Sequence, residues 1–288
     1  MIVIVSELVQ KLLPKLVFSI VRRAYIDIVL SCAKFRRWAK SFYYLGTSVE
    51  CPFCGGHFRK FLPTGVLERE FWSSPEAQQL LAEEFVTVCN LQCPRCGSSE
   101  RHRLACFYLQ DNLRMKENQG ARLLDVAPDA FVTKALFQTA EIDYVSIDLV
   151  RSNADYLMDI TDLQFDDDSF DVIVCYHVLE HIKEDRQAMG ELYRVLKPGG
   201  WAILQVPIWA RETYEDDSIP REKFLKHYGH KDHVRTYGLD FKERLQSSGF
   251  QVNLDQYVRM LPEEVVNKIG LLLQEDISDS YTHLKLPT

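Results

Sequence analysis

The chain has 288 residues, of which 47% are hydrophobic and 26% charged, the composition of a soluble globular protein with one large domain or two modest ones and enough apolar residues for a sizeable core. Its net charge of −7 is unevenly spread, because residues 1–40 carry eight Lys and Arg against Glu7 and Asp27, a local +6 that leaves −13 on the remaining 248 residues. That acidic body is a poor partner for nucleic acid, whose phosphates are bound by clustered Lys and Arg, so only the N-terminus offers such attraction.

Residues 1–46 read as a basic, helical segment. Apolar Leu16, Val17, Ile20, Val21, Ala24, Ile28, Cys32 and Phe35 recur at spacings of three and four, with Pro14 near the start. The basic residues do not segregate to one face, so the segment is expected to pack on the domain or on a partner subunit; a membrane-surface helix is the alternative. Met1 to Val5 is apolar but lacks the basic flank and cleavage site of a signal peptide. Lys11, Lys15, Arg22 and Arg23 interrupt it well short of the roughly 20 apolar residues of a membrane span. The expectation is a cytoplasmic protein, with peripheral contact at the inner face of the membrane left open.

Residues 47–106 contain two cysteine pairs of matching form, Cys51-Pro-Phe-Cys54-Gly-Gly and Cys93-Pro-Arg-Cys96-Gly. Two residues between cysteines let both thiolates reach one ion, and the following glycine permits the tight turn. Cys51, Cys54, Cys93 and Cys96 are therefore read as the closed tetrahedral shell of a structural zinc in a zinc-ribbon-like module, with no open position for a catalytic water. A thioredoxin-like redox role needs such a pair at a helix start, and neither has that setting. Cysteines so spaced in a chain of this length indicate metal and a reducing compartment rather than a secreted disulfide framework. Cys32, Cys89, Cys106 and Cys175 read as small buried hydrophobes.

Alternation of strand and helix follows. Arg122 to Ala127, Tyr144 to Asp148, Phe170 to Tyr176 and Trp201 to Val206 read as buried strands. Helices are expected at Ala130 to Thr139, at Glu184 to Leu196 with a stop at Pro198-Gly199-Gly200, and at Leu239 to Ser248 capped by Gly249. The pattern predicts an α/β fold over residues 107–261, a Rossmann-like doubly wound sheet with right-handed crossovers. Phe250 to Val258 alternates like a late, antiparallel edge strand, and residues 262–288 read as a C-terminal tail.

Ligands of such sheets bind beyond the carboxyl ends of the strands, near the point where strand order reverses. Those ends carry Asp125, Asp148 and His177. A carboxylate ending the second strand can accept hydrogen bonds from both hydroxyls of a ribose, and Asp148 fits that role; the alternative is a solvated turn aspartate.

Leu123-Leu124-Asp125, Ile147-Asp148, Asp159-Ile160, Phe170-Asp171-Val172-Ile173, His177-Val178-Leu179-Glu180-His181 and Arg194-Val195-Leu196-Lys197-Pro198-Gly199-Gly200 follow in the order and approximate spacing of class I S-adenosylmethionine-dependent methyltransferases, which residues 120–258 resemble. The resemblance implies a seven-stranded sheet with a final antiparallel strand and S-adenosylmethionine as co-substrate. It places Asp148 and Leu149 at the ribose, Asp159 and Ile160 at the adenine, Asp125, Ala127, Pro128 and Asp129 around the methionine end, and His177 and His181 near the methyl group. The family's first motif has glycines where this chain has Ala127, Asp129 and Phe131. A bacterial subgroup that the chain also resembles, with similar cysteine pairs and frequent links to cell-surface polysaccharides, has Ala-Pro and an acidic residue there. Asp129 is then expected to meet the cofactor's ammonium group.

His177-Val-Leu-Glu180-His181 also spells the His-x-x-Glu-His signature of inverted zinc peptidases, but that motif belongs within a helix and His177 directly follows an apolar strand. Methyl transfer is an in-line displacement that needs positioning, and a base only when the acceptor must lose a proton. His177, His181 and His233 are the candidate catalytic residues. His233 leads as base, because histidine titrates near neutral pH and the polar segments Thr213 to Asp216 and His230 to Arg235 fall where the fold usually builds an acceptor pocket. The alternative is a surface loop whose charges pair with one another, and Asp166-Asp167-Asp168 is read as a solvated loop. The expected acceptor is a small molecule, a glycan or another cell-surface precursor. Two alternatives stand beside it. One is a ribosomal RNA base methyltransferase, favoured by the zinc module, the basic N-terminus and Arg101-His102-Arg103 but opposed by the body charge. The other is a zinc-stabilised scaffold that has lost cofactor binding with the glycines.

Overall fold

The computed structural model describes residues 35–63, 91–115, 120–130, 133, 142–150, 154–255, 257–271 and 281–285. Most of the expected N-terminal helix and of the helix from Ala130 to Thr139, together with Cys32, Cys89 and Phe131, lies outside the described residues. Residues 35–41 are helical.

The cysteine module is built from two short antiparallel pairs. Strands β1 (Leu45–Cys51) and β2 (Gly56–Phe58) form a hairpin across the first Cys-x-x-Cys turn. Strand β3 (Leu62–Pro63) pairs with β4 (Leu91–Gln92), which delivers the second turn. Helix α1 (Glu100–Met115) then leads into the sheet. It straddles the boundary expected at residue 106, so module and domain are joined by a helix rather than by a linker.

The sheet contains β5 (Ala121–Val126), β6 (Ile142–Asp148), β7 (Tyr156–Leu157), β8 (Phe170–Tyr176) and, after helix α2 (Asp185–Val195), β9 (Leu196–Gln205). Beyond β9 come β10 (Ile208–Ala210), α3 (Phe224–Tyr228), β11 (Tyr237–Gly238) and α4 (Phe241–Ser247). The described chain finishes with β12 (Gln251–Asp255), α5 (Tyr257–Met260), α6 (Glu263–Ile269) and β13 (Tyr281–Lys285). The sheet order is β12-β13-β9-β8-β5-β6-β7. Strand β5 pairs in parallel with both β6 and β8. The chain therefore runs outward from β5 through β6 to β7 and returns to β8, so strand order reverses between β5 and β8 and opens a crevice at their carboxyl ends. Strands β5 and β8 are apolar along almost their whole length and buried on nearly every residue, as strands covered on both faces must be.

Two expectations need correction. The Pro198-Gly199-Gly200 turn does not separate helix from strand: α2 ends at Val195 and β9 begins at Leu196. Leu196 pairs with Phe170 while Trp201 pairs with Val172, so the Lys-Pro-Gly-Gly segment is a bulge inside the ladder. A bulge tolerates a proline that cannot donate. Gly199 lies at φ +75°. The second correction concerns the antiparallel strand. It is β13, inserted between β9 and β12 and antiparallel to both. Strand β12 is the edge and runs parallel to β9, and the segment read as a tail supplies both α6 and a sheet strand. The backbone of β9 offers an open ladder edge, and pairing there needs little from side chains.

The core has two parts, one on each face of the sheet. One packs α2 residues Ala188, Met189 and Leu192 and α4 residues Phe241 and Leu245 on Ile147, Ile173 and Leu204. The other unites Leu123, Val172 and Ile203 with Leu104, Tyr108 and Leu109 of α1, Val266 and Ile269 of α6, and Phe53, Phe58 and Phe61 of the cysteine module. The module thus shares a core with the sheet.

Arg103 ties these parts together. It is 0% exposed and donates from Nε to Ile269 O at 2.6 Å, from Nη2 to Gly270 O at 3.0 Å and from Nη1 to Ser98 O at 2.8 Å. Its guanidinium lies 3.9 Å from the ring centroid of Phe61. The carbonyls at the end of α6 have no partner in their own helix, and a cation there also suits the helix dipole. Gly270 turns the chain at φ +62°, where a Cβ would come within 2.3 Å of Phe61. Arg103→Met keeps the apolar stem but removes the guanidinium from the carbonyls of Ile269 and Gly270 at the end of α6, and it is expected to cost about 3 kcal/mol. Urea unfolding of the full chain measures this, and an unchanged midpoint would refute the role assigned to the guanidinium.

Candidate functional site

The four cysteines converge. Gly55 N donates to Cys51 O at 2.9 Å and Gly97 N to Cys93 O at 3.0 Å, so both turns have the same form. Gly55 and Gly97 lie at φ +60° and +85°. The Sγ atoms of Cys51 and Cys96 are 3.6 Å apart, those of Cys54 and Cys93 are 3.7 Å apart, and all four lie within 4.8 Å of one another. A tetrahedron with zinc–sulfur bonds of about 2.3 Å has sulfur–sulfur edges of about 3.8 Å, close to the Cys51–Cys96 and Cys54–Cys93 distances, so the cluster could hold a metal ion. Cys106 and Cys175 are buried thiols.

The cleft lies where strand order reverses. It has a volume of about 190 Å³. The first turns of α1 contribute Arg101, His102 and Ala105, and the end of β5 contributes Ala127 and Asp129. Tyr176, His177 and Gln205 close it from the ends of β8 and β9. Two non-glycine residues here have left-handed backbone: Ala127 at φ +52° and His177 at φ +56°. Each is held by its own N–H, from Ala127 to Ile147 O at 2.8 Å and from His177 to Gln205 O at 2.9 Å. Such conformations cost roughly 1–3 kcal/mol and persist where the surroundings over-determine them. Ala127 stands where the resembled motif has its first glycine, so the backbone keeps the left-handed turn without the glycine.

The acidic residues have separate situations. Asp125 is buried beneath the cleft, and its Oδ2 accepts from Tyr144 Oη at 2.8 Å and Thr133 Oγ1 at 3.0 Å. Burial, opposed by those two hydrogen bonds, pushes its carboxyl up to about 6. Asp129 lies 3.5 Å from His102 Nε2. His102 Nδ1 accepts the N–H of Ser99 at 3.1 Å, and its Nε2 accepts the Nε–H of Arg101 at 3.4 Å. Asp148 is buried at the end of β6 and accepts Val150 N at 2.8 Å. Leu149 beside it is 63% exposed. Asp159 is exposed and accepts the amide and hydroxyl of Thr161 at 2.9 and 2.8 Å, while the side chain of Ile160 is turned into the core.

The three candidate histidines separate. His177 lines the cleft; its Nδ1 is 3.1 Å from Oε1 of Glu180, and its buried Nε2 has no hydrogen-bond partner among the described residues. Glu180 is 1% exposed. Burial pushes its carboxyl up, but the hydrogen bond to His177 and the charges of His177 and His233 hold it below the usual range. His181 and His233 do not line the cleft and cluster with His230 instead. Burial pushes His233 down to about 4, so it is neutral at pH 7. The insertion after β9 is largely self-paired. Asp240 Oδ1 accepts both the amide and the hydroxyl of Thr213 at 2.7 Å. Glu215 pairs with Arg235 at 2.8 Å and with Arg244 at 2.9 Å, and Arg244 reaches buried Asp185 at 3.2 Å. These segments are closer to a surface loop of mutually paired charges than to an open acceptor pocket.

Sequence reasoning missed the part played by α1. Arg101 and His102 entered it only as basic residues beside Arg103, whereas Arg103 is buried and committed to carbonyls, and the other two face the cleft. The signal was present: Leu104, Ala105, Tyr108 and Leu109 have helical spacing and are buried, which places residues 101, 102 and 105 along the adjoining face.

Residues 124–204 match the methyltransferase domain family. A demethylmenaquinone methyltransferase of Clavibacter sepedonicus is 50% identical over 46 residues, covering 16% of this chain and 19% of the relative. Another, from Renibacterium salmoninarum, is 33% identical over 96 residues, covering 30% of this chain and 40% of the relative. The chain thus matches less than half the length of these relatives. The crystal structure of Burkholderia thailandensis 1,6-didemethyltoxoflavin-N1-methyltransferase superposes with a TM-score of 0.44 at 14% identity, covering 65% of this chain and 79% of that one. The matched segment runs from within β5 to within β9 and so includes the strands that form the crevice.

Asp125 yields a pH-dependent prediction. Its folded carboxyl lies above the ordinary value of 3.8, near 6, so the folded chain binds the extra proton between those values and loses stability as pH rises through them. Asp125→Asn keeps an oxygen for Tyr144 and Thr133 without the buried charge. It is expected to be more stable than wild type by about 2 kcal/mol at pH 8 and nearly equal at pH 4. Urea unfolding at both pH values decides the matter, and a gap of the same size at each would contradict it.

Proposed function

We propose that the chain transfers a methyl group from S-adenosylmethionine to a small-molecule acceptor, with His177 as the proton-accepting residue. The observation that carries this reading is the disposition of His177. It sits at the carboxyl end of β8 in a left-handed turn, its ring lines the cleft, its Nδ1 faces a buried carboxylate, and its buried Nε2 has no hydrogen-bond partner among the described residues. When bound, S-adenosylmethionine supplies an electrophilic methyl group on a sulfonium.

The residues around the cleft suit that co-substrate. Asp148 would take the ribose hydroxyls, exposed Leu149 would lie against the adenine, and Asp159 with the backbone of Ile160 would border its edge. The left-handed turn at Ala127 and Pro128 brings the backbone to the methionine end. Asp129, which lines the cleft beside His102, would receive the ammonium group. Asp125 supports this turn from below and stays out of the cleft.

His177 with its proton on Nδ1 donates to Glu180 and keeps a lone pair on Nε2, which has no partner among the described residues. It accepts the acceptor's proton as the methyl group moves, and the buried carboxylate of Glu180 stabilises the imidazolium that forms. Glu180 is thus a positioning residue. His177 replaces His233 as the base, because His233 is outside the cleft. The relatives named for demethylmenaquinone favour a small-molecule acceptor. A glycan or other cell-surface precursor is our finer reading, supported by the sequence resemblance alone. Burial of Arg103 weakens the RNA alternative, since that cation is not available to phosphate.

Calorimetry with S-adenosylmethionine, followed by transfer of labelled methyl into lipid, glycan, RNA and protein fractions of an extract, tests the reading. His177→Gln is expected to lower kcat roughly 10²- to 10⁴-fold with co-substrate binding retained, and Glu180→Gln less so. Absence of both binding heat and thermal stabilisation in the wild type would favour the scaffold reading and sink this one.

We further infer that Cys51, Cys54, Cys93 and Cys96 hold a structural zinc, supported by the sulfur spacing and by the shared core of module and sheet. With four sulfur ligands its role is to fold the module. After dialysis against EDTA the wild type should keep about one zinc per chain. Cys54→Ser should keep none and melt at lower temperature; a variant with wild-type melting would contradict a structural role.

A further inference from the structure

The insertion after β9 brings a second group of metal-ligating side chains together, apart from the cysteines and outside the cleft lining. His181, at the end of the 3-10 turn Leu179–His181, meets His230 and His233. One ring nitrogen from each lies within 4.8 Å of the others. The ring centroids are 4.8 Å apart for His181 and His233, 4.7 Å for His230 and His233, and 5.7 Å for His181 and His230. We propose that these three imidazoles form a binding site for a borderline divalent ion of the Zn²⁺ or Co²⁺ type.

Two features of the surroundings support this assignment. Nδ1 of His181 lies 3.0 Å from Asp232 O, and since a carbonyl only accepts, that ring carries its proton on Nδ1 and keeps the Nε2 lone pair for an ion. A backbone carbonyl on the second nitrogen is the usual way a metal-binding imidazole is oriented. The frame is also fixed without the ion: Val234 N donates to Glu180 O at 2.9 Å, and Arg235 binds Leu179 O at 3.1 Å, Ile182 O and Lys183 O at 2.7 Å. The turn after β8 and the loop from His230 to His233 are therefore held against each other by bonds that metal binding leaves intact.

The ligand chemistry follows from the donor set. Nitrogen ligands of this kind suit zinc, cobalt, nickel or copper rather than magnesium or calcium. A tetrahedral ion with bonds of about 2.1 Å needs nitrogens about 3.4 Å apart, so the rings must close in. His230 must also release the amide of Asp232, which its Nδ1 accepts at 3.2 Å. Three protein ligands leave a fourth position open. His181 is exposed while His233 is buried, so that position opens toward solvent and takes a water or an oxygen of an incoming molecule. The site stands independently of the methyl-transfer reading, because neither His230 nor His233 belongs to the cleft.

The test uses the full chain after EDTA dialysis, titrated with Co²⁺ and followed by calorimetry and by visible absorption. The wild type should take up about one Co²⁺ per chain with the weak bands of nitrogen ligation. His181→Ala and His230→Asn should each weaken that uptake by at least about 100-fold while zinc at the cysteines and the melting temperature stay at wild-type values. Failure of the wild type to bind Co²⁺ at millimolar concentration would overturn the proposal, as would uptake unchanged in both variants. Sulfur-to-metal charge-transfer bands accompanying the uptake would assign it to the cysteines and overturn the proposal equally.

Discussion

The buried guanidinium of Arg103 is the interaction on which the rest of this molecule depends. It satisfies carbonyls in the cysteine module and at the end of α6 from a position inside α1. Without such a donor the end of α6 could not be buried against Phe61, because unpaired carbonyls in an apolar core are costly. The consequence reaches the cleft. Arg101, His102 and Ala105 lie on the same helix, so the bond that docks the cysteine module also sets the wall facing Ala127 and His177. In this sense the cysteine cluster acts on the site through shape: it folds the segment that begins α1, and α1 closes one side of the crevice.

The second constraint is the pair of left-handed residues at neighbouring strand ends. Ala127 and His177 follow β5 and β8, the two strands between which the chain order reverses. Each turn is tied to an adjacent strand, to Ile147 or to Gln205, by a backbone bond. The sheet therefore imposes these conformations, and strain tolerated at both points is a common mark of a functional turn. It turns the histidine out of the strand direction so that Nδ1 meets Glu180 while the ring lines the cleft.

Much of the fold was legible from local pattern. Phe170 to Tyr176 is a continuous apolar run, and its strand has those same ends. The two Cys-x-x-Cys-Gly turns announced a shared cluster because their spacing leaves few other arrangements. Less legible were features whose stabilisation is remote. Strand β13 is short and draws its bonds from the edges of β9 and β12, and the Pro-Gly-Gly segment reads as a stop although the ladder absorbs it as a bulge. Among the site residues, Asp125, Asp148 and His177 could be read from their places at strand ends. His181 and His233 carried the same chemistry in sequence but a different position in space.

The sequence by itself determined the alternation of strand and helix, the cysteine cluster and the acidic ends of the parallel strands, because periodicity and short spacing act within a few residues. Tertiary structure alone decided which charges are available. Arg103 is joined to Ile269 across 166 positions, Asp129 faces a histidine from the preceding helix, and the histidines divide between a cleft and a cluster. Burial and hydrogen bonding set the state of each of these groups, and both come from partners that only the folded chain brings within reach.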